Sequence, residues 1–236
     1  MVYLVGSALE DTRRIATTLG IAQAVQVPLH LFPSKGPMCI ISSNGIYHGD
    51  SLTVSENLRK VSIPVDVKII FDRHADFNKP NFSLSGIEHF ASHAFEVYAQ
   101  NFLERLYVLG IEPGYQERQI MNCLHDLRIA SSLPHTKLFY SCDITSARSV
   151  EGKRIHVSVD IDVIKRLTCI NPGFGGESGP SLEELSNEIA TISKENTLVA
   201  IDLVGFLPRS RDLSCDSDAE GLLVYKTIVQ AAGFLK

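Results

Sequence analysis

With 236 residues, 44% of them hydrophobic and 21% charged, the chain has an ordinary globular composition and enough length to bury a sizeable core. A formal net charge of -5 argues against a nucleic-acid groove, which needs a clustered positive field; the basic clusters "LRK" and "GKR" are short and read as solvated surface. No run approaches the ~20 apolar residues of a membrane span. Five cysteines, odd in number and without C-x-x-C spacing, suit free thiols in a reducing compartment. The opening "MVYLVGSALEDTRR" lacks the basic segment and apolar length of a signal peptide, so a cytoplasmic protein is expected.

Taken in chain order, short apolar runs alternate with segments of helical period. Residues 2–5 read as a strand and 7–20 as a helix ending at a glycine; 24–32 and 38–42 read as strands. An amphipathic pattern over 51–61 precedes the strand "VKIIF" at 67–71, and a long periodic stretch covers 87–106. Strands at 106–110, 137–141, 155–162 and 197–206 are separated by helical patterns at 115–133 and 181–196, and a last helix covers 217–235. That last helix carries Ser217 and Glu220 at capping-box spacing. His93 and His125 fall on predicted helices and read as surface or half-buried residues. The strands are β-branched and continuous rather than alternating, as expected of strands covered on both faces. Alternation without a linker over 1–236 indicates one α/β domain with a mainly parallel sheet of about eight strands. In such sheets ligands bind beyond the carboxyl ends of the strands.

Two strands end alike. "VKIIF" runs into Asp72, His74 and Asp76, and "IHVSV" runs into Asp160 and Asp162. Alternate residues of extended chain share a face, so each set can aim at one point. Four carboxylates meeting there raise one another's pKa values unless cations intervene, and two divalent ions would offset the four charges. Oxygen ligands with a minority of imidazole favour Mn²⁺ over a thiolate-type zinc site. Such a pair would lower the pKa of a bridging water, and hydrolysis of a C–N bond is the natural chemistry. The same residue types also cap helices and close turns, and each motif alone is compatible with that structural role.

These motifs resemble those of the arginase/agmatinase (ureohydrolase) family. "DRHAD" is similar to the family's D-A-H-x-D and "SVDID" to its S-x-D-x-D. "DFNKPNFSLSGIEH" is similar to D-x-N-x-P…S-G-N-x-H-G, "INPGFGGESGPSLEEL" to D-P-x-x-A-P-G-x-G-T-P, and "AIDLVGFLP" to D-I-x-E-x-N-P. The order holds from about residue 40 to the C-terminus. The resemblance implies a three-layer α-β-α fold and two Mn²⁺ ions held by Asp72, His74, Asp76, Asp160 and Asp162. It implies His89 as the histidine of proton transfer, and assembly as a homo-oligomer, a trimer or hexamer.

The departures bear on activity. Where the family has G-G-D-H-S, this chain reads "IYHGDSLT", so either His48 or Asp50 stands in for a histidine ligand, or Asp50 merely caps the next helix. Gly205 occupies the position of the glutamate that holds a guanidinium group in the family, and Asp202 matches a different family position. Arg73 replaces a small residue and is expected to pair with Asp50 or another acidic side chain. Lys165 and Arg166 lie past the second motif, either as anion-binding groups or as loop surface. Two functions follow. One is a binuclear-metal hydrolase that cleaves a linear C–N bond, amidine or amide, of a small-molecule substrate by a metal-bridging hydroxide. The other is a catalytically degenerate relative with a binding or structural role.

Overall fold

A computed structural model describes residues 3–4, 14–15, 17–19, 25–26, 38–41, 55, 58–59, 63–78, 92–170, 174–206, 208–210 and 213–235. The apolar runs form strands β1 (Tyr3–Leu4), β2 (Val25–Gln26), β3 (Met38–Ile41) and β4 (Val67–Phe71). They continue with β5 (Arg105–Leu109), β6 (Lys137–Ser141), β7 (Arg154–Asp160) and β8 (Thr197–Val204). Four helices interleave with the later strands: α1 (His93–Ala99), α2 (Tyr115–Ile129), α3 (Leu182–Glu195) and α4 (Asp216–Ala231). The predicted helices over 7–20 and 51–61 lie largely outside the described residues; Arg14, Ile15, Thr17, Thr18, Ser55, Leu58 and Arg59 within them are helical.

Six strands form one sheet in the order β3-β8-β7-β4-β5-β6, with every pairing parallel. β1 and β2 pair with each other, and β1 lies beside β3, which accounts for the eight predicted strands. Side-chain alternation splits β4 and β7 cleanly. Val67, Ile69, Phe71, Ile155, Val157 and Val159 face one core with residues of α3 and α4 such as Leu185, Ile189, Leu222 and Tyr225. Ile70 faces a second core with Phe95 and Val97 of α1 and Ile120 of α2. Helices therefore cover both faces, giving three α-β-α layers.

The periodic stretch over 87–106 breaks earlier than its pattern suggests. α1 stops at Ala99, and Asn101 adopts a left-handed φ of 55°. Its Oδ1 accepts from the backbone N–H of His135 at 2.5 Å and Thr136 at 3.0 Å, so a turn wins over helical continuation. The expected Ser217–Glu220 capping box does not form either. α4 starts at Asp216, and Glu220 Oε2 instead accepts from the N–H groups of Thr168 and Cys169. A complete capping box closes α3, where Ser181 and Glu184 satisfy each other's backbone N–H.

All five cysteines are free thiols. Cys39 and Cys169 are buried, Cys142 is exposed, and burial pushes the thiols of Cys39 and Cys169 up to about 12.

Gly221 lets α4 pack closely against Phe206. A Cβ there would come within 2.4 Å of the Phe206 ring, itself fully buried and edge-on to Tyr225. Alanine at this helical position gains about 1 kcal/mol of propensity, but overpacking of a closed core costs about 1–3 kcal/mol. Gly221→Ala is therefore expected to lower the urea midpoint; a raised midpoint would show that the ring gives way freely.

Candidate metal centre

The parallel register of β4 and β7 sets the site. Phe71 lies opposite Val159, so the chains leaving both strands carry their acidic residues forward side by side. β4 ends into Asp72-Arg73-His74, and β7 ends at Asp160 and turns through a short 3-10 segment, Ile161–Val163. Asp160 starts that turn by accepting the N–H of Asp162 on its Oδ1 at 3.0 Å. Asp162 is thereby swung back toward β4. One ligand atom each from Asp72, His74 and Asp162 lies within 4.8 Å of the others.

Hydrogen bonds fix this trio. Asp72 Oδ1 accepts the backbone N–H of His74 at 2.7 Å, and Asp162 Oδ1 accepts that of Arg73 at 3.3 Å. His74 Nδ1 sits 2.9 Å from Asp162 Oδ2 and 3.7 Å from Asp72 Oδ1. The two carboxylates are buried and the His74 side chain is 30% exposed, so the imidazole forms the mouth. Burial and the neighbouring charges of Asp160 and Asp72 push Asp162 up to about 8. Burial alone would depress His74, but its hydrogen bonds and charge contacts with Asp162 and Asp72 outweigh it and lift the imidazole to about 11. Both shifts have one physical meaning: a concentration of negative charge out of water that a cation relieves. The donor set of two carboxylates and one imidazole fits a hard or borderline divalent ion.

The other sequence candidates fall as follows. Asp160 is buried beside the trio. Asp76 is buried with a left-handed φ of 47°, and its backbone carbonyl accepts the N–H of Phe95 at the start of α1. His48, Asp50 and His89 lie outside the described residues. Lys165 and Arg166 engage Glu184 and Glu177 at the surface, at 3.9 and 2.7 Å, as loop decoration would. Arg73 finds an acidic partner in Glu112, 3.2 Å away. His125 is exposed as expected. His93 is not a surface or half-buried residue: it is fully buried.

His93 belongs to a polar cluster under the trio that sequence reasoning missed. Lys68, two positions before Ile70 on the same face of β4, is almost fully buried; its Nζ donates to Ser55 Oγ at 2.8 Å and meets His93 Nε2 at 3.0 Å. An ammonium only donates, so His93 Nε2 accepts and the ring carries its proton on Nδ1. On the adjoining strands, Asp202 is bound by His156 Nε2 at 2.5 Å and by Ser158 Oγ at 2.8 Å. Both Asp202 oxygens are thus engaged inside the sheet face. Burial drives Lys68 down to about 8 against the attraction of Asp202, and burial with the Lys68 charge lowers His156. A lysine in the middle of an apolar strand was the available signal, because burying it demands partners.

Gly205 follows β8 with φ +97°, and a Cβ there would stand 2.3 Å from Asp160 Oδ1 and 3.1 Å from Ile161 Cγ1. The backbone at this position lies directly against the site carboxylate, which only glycine permits.

A parallel sheet between two helical layers, with an Asp-His-Asp cluster at its carboxyl ends, defines an α/β protein with a candidate site for a divalent metal ion. The Arginase family model matches residues 50–221, and the chain belongs to the arginase family. Solved structures with this fold include proclavaminate amidino hydrolase from Streptomyces clavuligerus, at 13% identity and a TM-score of 0.67, aligned over 98% of this chain and 91% of that one. Formimidoylglutamase from Bacillus subtilis aligns at 14% identity and a TM-score of 0.61, over 97% and 86% of the two chains. Helicobacter pylori arginase aligns at 14% identity and a TM-score of 0.61, over 98% and 99%. At such identities the likeness carries the fold and not the substrate. No curated protein matches the sequence. No helix among the described residues is long and apolar enough to cross a membrane.

Two predictions come from the buried residues. Lys68 keeps its proton in the unfolded chain up to about pH 10.5 but in the fold only to about 8. The unfolded state therefore binds more protons between these values, and stability rises with pH across that window. From pH 8 to 10.5 the stability difference between the native protein and Lys68→Met should move toward the native protein by on the order of 3 kcal/mol. Urea unfolding at the two pH values measures it; a pH-independent difference would contradict the buried charge. Gly205→Glu should not restore a guanidinium anchor. Its backbone strain alone costs about 1–3 kcal/mol, and the collision with Asp160 adds to this, so a lowered Tm is expected; an unchanged Tm would contradict the close approach.

Proposed function

We propose that the protein is a divergent metal-dependent hydrolase of the arginase family, acting on a linear C–N bond of a small molecule. The observation that supports this most directly is the convergence of Asp72, His74 and Asp162 at the ends of β4 and β7. In this reading Asp72, His74 and Asp162 hold one ion. Asp160 and Asp76, with His48 or Asp50, hold a second, and Mn²⁺ suits both oxygen-rich sets. When bound, the ions supply Lewis acidity and water acidic enough to act near neutral pH. The residues do the rest. His74 lines the opening, Asp160 orients Asp162, and the Arg73 N–H keeps the Asp162 carboxylate turned toward His74. His89 is assigned proton transfer to the leaving amine.

Gly205 shapes the substrate class. A buried guanidinium requires a carboxylate partner, but position 205 offers bare backbone and the Asp202 oxygens are engaged by His156 and Ser158. The substrate is therefore an amide, or an amidine held by groups other than a carboxylate at position 205. The same glycine favours a second reading, in which the chain keeps the fold and metal but has lost hydrolysis and serves as a binding subunit. A cytoplasmic setting and homo-oligomeric assembly complete the first reading.

Metal titration tests the proposal. Protein stripped with chelator and then given Mn²⁺ at 100 times its Kd should gain about 2.7 kcal/mol of stability. Asp162→Asn should abolish that gain. Elemental analysis showing no retained ion after Mn²⁺ addition would overturn the metal reading. Bound metal without release of ammonia, amine or urea from a panel of linear amides and amidines would select the binding subunit.

A further inference from the structure

Arg73 stands inside the ligand motif, between Asp72 and His74, yet its guanidinium serves a loop 105 residues further along the chain. Nη1 donates to the Ser178 carbonyl at 2.9 Å, and Nη2 donates to Ser178 Oγ at 2.9 Å and to Glu112 Oε1 at 3.2 Å. The Arg73 side chain is 8% exposed although Glu112 is 50% exposed. Gly176 makes room for it: a Cβ at that position would stand 2.0 Å from Nη2 and 2.1 Å from Cζ. The same loop meets the site at its other end. The Phe174 ring packs edge-on against His74, with centroids 5.6 Å apart and planes at 77°. Between the two contacts the chain runs through Gly175 and Gly176, residues that hold no conformation by themselves.

Two backbone hydrogen bonds support the base of the loop. The Lys165 N–H donates to the Pro180 carbonyl at 3.0 Å, and the Arg166 N–H to the Gly176 carbonyl at 2.9 Å. These bonds fasten the segment to the chain beyond β7. Arg73 ties it to the end of β4 by hydrogen bonds, beside the ring contact of Phe174 with His74. A planar fork gripping one residue through its carbonyl and its hydroxyl fixes direction as well as distance, which a lysine at position 73 would not do.

We propose that Arg73 is a positioning residue: clamped on Ser178 beneath Gly176, it holds Phe174 against His74 and so fixes the orientation of the imidazole in the metal centre. Its effect on metal rests on the reading of Asp72, His74 and Asp162 as ligands; its effect on the loop does not.

The experiment separates the two. Hydrogen exchange of the peptide over 174–180 should quicken about 10-fold in Arg73→Ala, which removes two loop hydrogen bonds, while exchange in β4 and β7 stays unchanged. Arg73→Lys should recover only part of the protection. If Arg73→Ala does not fold, Gly176→Ala, whose methyl displaces the guanidinium, and Ser178→Ala, which removes one acceptor, should give the same direction of change. Mn²⁺ affinity supplies the readout that a purely structural strap would not move. Arg73→Ala and Phe174→Ala should each weaken it about 10-fold, as outer-shell changes do. The double variant should be no weaker than either single one, because both break one chain of contact. Unchanged exchange over 174–180 in every variant would overturn the clamp. Quickened exchange with unchanged or additive metal effects would overturn the link to His74. Altered exchange in a protein that binds no Mn²⁺ would sink the metal reading while leaving the clamp in place.

Discussion

The register between β4 and β7 is the constraint from which the site follows. With Phe71 opposite Val159, the residue after β4 and the last residue of β7 are both aspartates, side by side at the same sheet end. Slipping that pairing by one residue would turn Asp72 to the other face and leave its carboxylate among Val, Ile and Leu side chains. The apolar faces of both strands prevent the slip, because Ile69 and Val157 belong to one closed core and Ile70 to the other. The two cores thus supply the energy that forces like charges together, and a divalent ion would relieve the charge excess they create.

Beneath the acidic cluster the sheet carries a second polar layer of opposite character. Lys68 and Asp202 are buried on β4 and β8, the two strands that flank β7, with His156, Ser158, Ser55 and His93 filling the remaining hydrogen-bond positions. Buried ionic clusters of this kind rarely add net stability compared with apolar packing. Their directional bonds do fix β4, β7 and β8 laterally, in the strands that lead into Asp72, Asp160 and Gly205. The precision of the site and the rigidity of the layer below it are two parts of one arrangement.

What the sequence disclosed and what it hid differ in range. The strands were legible because a β-branched run such as "VKIIF" carries its own signature, and Asp72, His74 and Asp162 because D-x-H and D-x-D place ligand-type side chains at strand ends, although a 3-10 turn and not extended chain brings Asp162 to the other two. The family likeness extended that reading to the fold. The end of α1 was not legible: periodicity continued past Ala99, and only the capture of two distant N–H groups by Asn101 explains the break. Glu220 had the right offset for a cap and was drawn away by Thr168 and Cys169. The partners of Arg73 and Lys68 lie 105 and 25 residues away, and no local pattern encodes such pairs. Local rules lose where a tertiary partner offers a better bond.

The distribution of sulfur has a practical consequence. Of the five thiols, Cys39 on β3 and Cys169 beyond β7 are sealed in the interior and hold their protons tightly, whereas Cys142 lies open after β6. Alkylating reagents attack thiolates, so the intact molecule presents Cys142 to them and withholds Cys39 and Cys169. Each of those two is therefore a built-in timer, one for the edge of the sheet and one for the chain behind its acidic mouth, reporting by mass alone when its region opens.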